Sequence, residues 1–300
     1  LIDKNRPKRY KVQIRGKAAI GKLYLWEHIL KGPWREGEID FTFYTGPAVI
    51  QGHVPLDTDS VVLVLNGQEQ QKIPCATRWL QHIQTLMWVD AVNCLAVVLL
   101  GSKRCTKDWI NIYLRRHGVF VDLLFLVYGS PWVNDKDVFQ WPVGVATYFP
   151  VVTANSQMVN STRPFLCNFL GTSFLLLSCI RWLPQETAKS LRRYQTALAQ
   201  SELTLCCAYG SVPVVEDIVT PGGCSAAHSS PLRLLKAAGA LFIFLKDCKE
   251  LPGLLEKEKG MSQEERTERR RRLLEWYSSF HLQMKDRFTE VLEEAFFKNN

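Results

Sequence analysis

The chain has 300 residues, enough for one large domain or two, with 47% hydrophobic and 22% charged residues, an ordinary balance for a globular protein. No apolar run approaches the roughly 18 to 20 residues of a membrane-spanning helix. The formal net charge is +8, but the excess lies in residues 4–17 and 266–272. This distribution favours a solvated stem and a charged helix face over a nucleic-acid site, so no nucleic-acid partner is expected.

The cysteines and histidines do not predict a metal site. The nine cysteines include no C-x-x-C pair, and no two of the six histidines have the spacing of a metal-binding pair. Asn160 begins an Asn-Ser-Thr sequon, which indicates a glycosylation site and the lumen of the secretory pathway.

The first half alternates strand and helix patterns. Residues 1–15 are basic and unpatterned, which predicts a stem or linker. After them the order is helix, two strands, helix, strand, helix, strand, over 17–30, 41–44, 61–65, 76–89, 95–100, 109–116 and 123–128. Apolar strands that end in Gly or Gly-Ser are typical of a doubly wound parallel sheet. We therefore expect an α/β fold with a Rossmann-like domain over 16–150, closed by a loop-rich connection from residue 134 on.

A second alternation predicts another Rossmann-like domain over 151–260. Strands are expected at 165–170, 203–206, 212–215 and 241–245, a long helix at 185–200, and a short helix between Ser230-Pro231 and Gly239. The tail, 261–300, reads as one long helix with a Ser262–Glu265 capping-box pattern and an apolar stripe, which we expect to pack back on the first domain.

One spacing in the second half is anomalous. Two parallel neighbouring strands need a crossover of about 10 to 12 residues or more, but only residues 207–211 separate the strands predicted at 203–206 and 212–215. Either these strands are not parallel neighbours, or a helix has been lost between them.

Two strings of residues carry a resemblance to a known family. Residues 208–217 read Ala-Tyr-Gly-Ser-Val-Pro-Val-Val-Glu-Asp, and residues 130–142 read Ser-Pro-Trp-Val-Asn-Asp-Lys-Asp-Val-Phe-Gln-Trp-Pro. They resemble the ribitol-phosphate xylosyltransferases of dystroglycan glycosylation, a group within the exostosin-like glycosyltransferase family, and the resemblance covers about 16–300. That family has a loop and helix between the residues numbered here Cys206 and Cys207, and a further segment near 173–180, which this chain lacks.

The resemblance implies a GT-B-like arrangement of two domains facing a cleft, with the acceptor on the first and UDP-xylose on the second. The implied reaction moves xylose, with inversion, to ribitol phosphate on the O-mannosyl glycan of alpha-dystroglycan. UDP-xylose would serve as donor substrate with no cofactor, and helix dipoles and basic side chains, rather than a metal, would stabilise the leaving group. A Golgi membrane location follows, with the anchor outside this chain and other glycosyltransferases of the pathway as partners.

Two glycine-containing segments of the second half are candidates for donor binding. Gly210, Glu216 and Asp217 surround the end of a predicted strand, the edge where open α/β sheets bind ligands. Gly171 and Thr172 follow another strand, where a glycine can admit a pyrophosphate against backbone N–H groups. The alternatives are turn glycines and solvated acids.

The third candidate is the loop between the two predicted domains. Asp135 and Asp137 are candidates for the base that takes the proton from the acceptor hydroxyl, and Trp132 and Trp141 offer flat faces to a sugar. The alternative is an Asp-rich turn flanked by packing aromatic residues.

The apparent gaps leave a second hypothesis open. The chain is then a catalytically inactive variant, or a truncated gene model, that lacks the donor-binding loop and helix. Binding of UDP-xylose separates the two hypotheses.

Overall fold

The computed structural model describes residues 9–16, 34–44, 54, 56–67, 70–101, 108–126, 130–141, 212–216 and 233–298. The strands are β1 (Tyr10–Arg15), β2 (Trp34–Glu36), β3 (Ile39–Tyr44), β4 (Ser60–Gly67), β5 (Cys94–Gly101), β6 (Leu123–Leu126), β7 (Val138–Gln140), β8 (Val214–Glu216) and β9 (Ile243–Leu245). The α-helices are α1 (Ile73–Met87), α2 (Asp108–Asn111), α3 (Arg233–Ala237), α4 (Leu251–Gly260) and α5 (Gln263–Glu293), the last continued by a π-helical turn, Glu294–Lys298.

A seven-stranded sheet dominates the first half, in the order β2-β3-β1-β4-β5-β6-β7. Every neighbouring pair is parallel except β2 and β3. Counted along the chain, the six parallel strands lie in the order 2-1-3-4-5-6, the flavodoxin-like order of doubly wound sheets. The predicted α/β class with a Rossmann-like parallel sheet is confirmed for this half.

The sheet is covered on both faces, which explains why its strands are apolar on both sides. In β4, Val62 and Val64 point to one face, and Val61, Leu63 and Leu65 point to the other. The helix α1 packs on the second face through Ala76, Trp79, Leu80 and Ile83. The first face is covered by α5, whose buried side chains there are Phe280, Met284, Phe288 and Leu292.

The long helix α5 begins at the predicted cap. The backbone N–H of Glu265 donates to Ser262 Oγ over 3.1 Å, and the Glu265 carboxylate accepts from the N–H of Ser262 over 2.8 Å. This reciprocal pair is a capping box, and it confirms the sequence pattern. Further along, Trp276 Nε1 donates to the carbonyl of Ala238 over 2.6 Å, so α5 also contacts the residues just after α3.

The described part of the second half contains a small parallel pair of strands. β8 and β9 align Val214 with Ile243 and Glu216 with Leu245. They confirm strands at two of the predicted positions, 212–215 and 241–245, each shifted by one or two residues. The strands predicted at 165–170 and 203–206, the helix at 185–200 and the anomalous spacing lie outside the described residues.

Three predictions about the first half were wrong in part. Residues 10–15, assigned to a stem, form β1, because Val12 and Ile14 are fully buried while the basic residues around them hid the alternation. Residues 138–140, assigned to a loop, form β7 at the edge of the sheet. The helix predicted at 109–116 is two short pieces, because Leu114 is extended and pairs with Val121.

No helix among the described residues combines the length and the apolarity that crossing a membrane requires.

Candidate functional site

The strand order places a ligand-binding position between β1 and β4. From β1 the chain continues to β3 on one side, and β4 then lies on the opposite side of β1. Such a reversal of strand order is a topological switch point, and open α/β sheets bind ligands outside the carboxyl ends of the strands there. Arg15 and Gly16 lie at the carboxyl end of β1, and Asn66 and Gly67 lie at that of β4.

Gly16 brings the backbone of β1 close to β4 at this point. Its N–H donates to the carbonyl of Tyr44 over 3.1 Å, which continues the ladder between β1 and β3. A Cβ added at Gly16 would lie 2.5 Å from the carbonyl oxygen of Val64 and 2.7 Å from its Cβ. Only glycine therefore fits here, because Val64 occupies the position that a Cβ of residue 16 would take.

Arg15 is the cation of this position. It is 8% exposed, and its guanidinium carbon lies 5.0 Å from the centre of the Tyr44 ring. Tyr44 in turn donates its hydroxyl to Asp57 Oδ2 over 2.8 Å. Burial lowers the pKa of the Arg15 guanidinium, and the charge of Asp57 and the presence of Tyr44 oppose that shift. The hydrogen bond to Asp57 raises the pKa of the Tyr44 hydroxyl.

Gln13 is a buried amide two residues before Arg15 on the same face of β1. Its exposed fraction is 0%, and neither Nε2 nor Oε1 has a hydrogen-bond partner within the described parts of the chain. A buried polar group left without a partner costs about 1–3 kcal/mol of folding free energy. We call Gln13, Arg15, Tyr44 and Asp57 the switch-point cluster. It combines a buried cation, an unsatisfied amide, a hydroxyl and a carboxylate.

Sequence reasoning missed this cluster because it assigned β1 to a basic stem. The signal that could have found it is the alternation Val12-Gln13-Ile14-Arg15, two apolar residues interleaved with two polar ones, followed by glycine. An apolar alternation of period two predicts a strand even within a basic stretch.

Asp137 is part of a hydrogen-bonded loop before β7. The Oδ1 atom of Asn134 accepts from the backbone N–H groups of Lys136, Asp137 and Val138 at 3.0, 3.2 and 3.0 Å. The Asp137 carboxylate accepts from Asn134 Nδ2 over 2.5 Å and from the Arg116 guanidinium over 3.3 Å. Asn134 and Arg116 therefore hold this carboxylate in place.

Asp135 lies in the same loop and contacts α5. Its φ is 55°, in the left-handed region, and its carboxylate accepts from Arg287 over 2.6 Å. Both aspartates precede β7, so they lie at the amino edge of the parallel strands. Four strand spacings, about 19 Å, separate β7 from β1. The structure does not bring Asp135 or Asp137 to the switch-point cluster.

The two tryptophans of this loop have different environments. Trp141 is 1% exposed, and its ring centre lies 5.5 Å from that of Phe125 and 5.2 Å from that of Phe288. Because this ring is enclosed in the core under α5, a sugar cannot stack on it, which corrects its predicted acceptor-binding role. Trp132 is half-buried against the α1 side of the core, and its role stays a prediction.

Of the residues predicted to bind the donor, the structure describes the backbone of Glu216 alone. Glu216 is the last residue of β8, next to Leu245 of β9, so it lies at a carboxyl strand end as expected. Gly171, Thr172, Gly210 and Asp217, together with the glycosylation candidate Asn160, lie outside the described residues and remain predictions. No group of three or more His, Cys, Asp or Glu side chains that could hold a metal occurs among the described residues.

Comparisons with known proteins place both halves of the chain in one family. Residues 12–142 match the family model of the RXYLT1 N-terminal domain, and residues 146–297 match that of the RXYLT1 C-terminal domain. The chain is 61% identical to "Ribitol-5-phosphate xylosyltransferase 1" of Danio rerio, over 98% of this chain and 80% of that protein. It is 48% identical to the protein of the same name from Homo sapiens, over 96% of this chain and 77% of the relative. No solved structure matches.

The aligned regions are longer than this chain. They extend over 346 residues with the Danio rerio protein and 343 with the human protein, whereas the chain has 300 residues. The relatives therefore carry residues inside the aligned region that have no counterpart here, which agrees with the internal gaps expected from the sequence. With both domain models matched in order and identity this high along almost its whole length, the chain belongs to the RXYLT1 family of ribitol-5-phosphate xylosyltransferases.

Proposed function

We propose that this protein is a glycosyltransferase that moves a xylosyl group to ribitol 5-phosphate. The observation that carries the proposal is 61% identity to a ribitol-5-phosphate xylosyltransferase over 98% of this chain and 80% of the relative. The doubly wound sheet is compatible with it, because such sheets present the carboxyl ends of their strands to a ligand.

The proposed donor is UDP-xylose, bound by the second half of the chain. The parallel pair β8 and β9 is the described sheet of that half, and Glu216 lies at its carboxyl end. Gly171, Thr172, Gly210 and Asp217 complete the proposed donor side. We place the two halves as Rossmann-like domains facing a cleft in the GT-B manner, with the first half holding the acceptor.

The proposed chemistry is a direct displacement that converts the α-linkage of the donor into a β-linkage. It requires a base to take the proton from the attacking hydroxyl. Asp135 and Asp137 are the candidates from the sequence. Their ion pairs with Arg287 and Arg116, and their place at the amino edge of the sheet, favour a structural role instead.

The proposed setting is the Golgi lumen, where the acceptor would be ribitol phosphate on the O-mannosyl glycan of alpha-dystroglycan and other glycosyltransferases of the pathway would be partners. The sequon at Asn160 supports a lumenal location.

The test is a transfer assay with the purified chain, UDP-xylose and a synthetic glycoside that ends in ribitol 5-phosphate. Mass spectrometry should show the acceptor gaining one pentose, with UDP released in equal amount. UDP-glucose as donor and the same glycoside without phosphate serve as controls. If no pentose is transferred while the Danio rerio relative is active under the same conditions, the proposal fails for this chain.

The internal gaps support a second candidate function, an acceptor-binding protein without transferase activity. The aligned regions exceed the length of the chain, and the sequence places one gap next to the proposed donor site. Isothermal titration with UDP-xylose discriminates the two functions, since an active enzyme must bind its donor. A chimaera that restores the relative's residues between Cys206 and Cys207 should recover donor binding if this second function is correct.

A further inference from the structure

We propose that the switch-point cluster is the subsite for the phosphate group of the acceptor, with Arg15 as the group that contacts it and the fully buried Gln13 reaching it through a water. This inference rests on the proposed function, because ribitol 5-phosphate, the acceptor named for the relatives, supplies the phosphate.

The position is the one that the strand order selects. Arg15 and Gly16 lie at the carboxyl end of β1, beside β4 and at the reversal of strand order. Gly16 lets β1 approach β4 closely just after Arg15, because Val64 occupies the place that a Cβ of residue 16 would take.

The positive charge of the proposed subsite comes from the buried guanidinium of Arg15. Arg15 is 8% exposed, and Tyr44 lies under its guanidinium at 5.0 Å. The planar fork of a guanidinium matches two oxygens of a phosphate, and a low-dielectric surrounding strengthens that attraction. Burial lowers the pKa of Arg15, and a bound dianion would oppose this shift and offset the cost of burying the cation.

Hydrogen bonding explains why Gln13 is present in an apolar face. Its neighbours in register are Thr42 on β3 and Val61 on β4, and an apolar residue of the same size would fill the position without loss. Instead the chain keeps an amide whose two polar atoms have no partner among the described residues. A water that accepts from Nε2 and donates to a phosphate oxygen would satisfy the donor of this amide, and a second water donating to Oε1 would satisfy its acceptor.

The remaining two members of the cluster suit the polyol part of the acceptor. Asp57 already accepts from the hydroxyl of Tyr44, and its carboxylate has further lone pairs for the hydroxyl groups of ribitol. A phosphate beside Arg15 and hydroxyls beside Asp57 would orient the acceptor from the carboxyl end of β1 toward the segment that precedes β4.

Isothermal titration of the full chain tests the assignment. Ribitol 5-phosphate is titrated beside ribitol, inorganic phosphate and UDP, into wild type, Arg15→Gln and Arg35→Gln. Arg35 is the matched control, since it carries the same charge on β2 with a side chain 79% exposed. We expect Arg15→Gln to weaken ribitol 5-phosphate binding by about 10- to 100-fold, the worth of a charged hydrogen bond, and Arg35→Gln to change it by less than about twofold.

A second variant separates binding from folding. Gln13→Leu removes the unsatisfied amide and keeps the volume, so we expect the melting temperature to rise while affinity for ribitol 5-phosphate falls several-fold. A purely structural glutamine would give the opposite sign for stability. A lower melting temperature, or unchanged affinity, contradicts the proposal. Circular dichroism of each variant shows whether the fold is intact.

The four ligands distinguish the sources of the phosphate. If Arg15→Gln weakens UDP binding and leaves ribitol 5-phosphate unaffected, the cluster belongs to the donor and the assignment is wrong. Equal affinity for inorganic phosphate and ribitol 5-phosphate would also overturn it. If binding depends on Arg15 but no xylose is transferred, the proposed function fails and the subsite stands. If xylose is transferred equally by wild type and Arg15→Gln, the function stands and the subsite fails.

Discussion

The amino edge of the seven-stranded sheet and the interior of β1 differ in how the protein satisfies their polar side chains. At the amino edge, Asp59 accepts from Ser60 and Asn93, and Asp122 accepts from the backbone of Leu95. Further along the same edge, Asn134 and Arg116 hold Asp137. Within β1, opposite Val61 of β4, Gln13 is buried with both polar atoms unsatisfied by any described residue.

The carboxylates of the amino edge therefore stabilise the fold, whereas the amide of Gln13 is left for a ligand to satisfy. Along the amino edge the carboxylates fix loops and strand starts, so their lone pairs are occupied by the protein itself. At Gln13 the protein buries an amide that has no partner among the described residues, a cost that a ligand can offset. The amino-edge carboxylates and the residues of the switch-point cluster cannot be distinguished in the sequence, because each is a polar residue within or beside an apolar strand.

The largest expected effect comes from forcing β1 and β4 apart next to the switch-point cluster. Gly16→Ala places a Cβ 2.5 Å from the carbonyl oxygen of Val64, which is backbone and cannot rotate away. We expect the free energy of unfolding to fall by about 1–3 kcal/mol, as for other overpacked sites, and ribitol 5-phosphate affinity to fall with it. Urea denaturation and titration calorimetry measure the two.

The control for this variant is Gly253→Ala in α4. An added Cβ there meets nothing within 4 Å, and replacing glycine by alanine within a helix stabilises by up to about 1 kcal/mol. If Gly16→Ala and Gly253→Ala have the same free energy of unfolding and the same affinity, β1 and β4 separate easily, and the close approach at Gly16 is not required for stability or binding.

The amino edge should respond to mutation in stability alone. Asn134→Ala removes the acceptor of three backbone N–H bonds in the loop before β7. We expect a loss of about 0.5–2 kcal/mol in the free energy of unfolding, as for the loss of a helix-capping side chain, with ligand affinity per folded molecule unchanged. Asn93→Ala, which removes one 3.3 Å side-chain bond to Asp59, should cost less. If Asn134→Ala instead weakens acceptor binding per folded molecule, this loop contributes to ligand binding and the prediction is wrong.

The sequence predicted the framework of the first half because strands buried on both faces are continuous apolar runs. β4 and β5, and the helix α1 between them, were found this way with small errors at their ends. The capping box at Ser262 was also readable, because it depends on two residues three positions apart. β1 was missed because its polar residues, Gln13 and Arg15, belong to the candidate site rather than to the core.

The candidate site could be predicted only in outline. Ligand positions were expected at Gly171 and Gly210 in the second half, which lie outside the described residues, whereas the candidate near Gly16 is in a strand that the sequence did not identify. The position arises from the strand order, in which β4 pairs with β1 rather than with β3, and single-strand patterns carry no pairing information. Trp141 was misread because an aromatic residue that fills a core and one that stacks on a sugar have the same local pattern.

The roles of the amino-edge carboxylates predict that Asp135 and Asp137, in the loop before β7, are structural. A general base contributes about 100- to 10,000-fold to the rate, so its removal should abolish most transfer. Because Asp135 pairs with Arg287 and Asp137 pairs with Arg116, we expect Asp135→Asn and Asp137→Asn to change kcat/KM by less than about tenfold. We expect a stability loss of up to about 1 kcal/mol, as for partly exposed ion pairs. A fall of a hundredfold or more in kcat at unchanged KM would instead identify the base.

The smallest expected effect is a pH dependence at the amino edge. Burial raises the pKa of the Asp122 carboxyl above its usual range, and the N–H of Leu95 and the guanidinium of Arg115 only partly oppose this shift. A carboxyl whose pKa is raised by folding stabilises the protein most below its unfolded pKa, and that contribution is lost as the pH rises through the folded pKa. The free energy of unfolding of wild type, relative to Asp122→Asn, should therefore increase by up to about 1 kcal/mol from pH 7 to pH 4. Urea denaturation at a series of pH values measures it.

Arg115→Gln should steepen this pH dependence, because it removes a cation that favours the charged form of Asp122. If wild type instead loses stability relative to Asp122→Asn on acidification, the interactions with Leu95 and Arg115 outweigh the effect of burial on the pKa of Asp122.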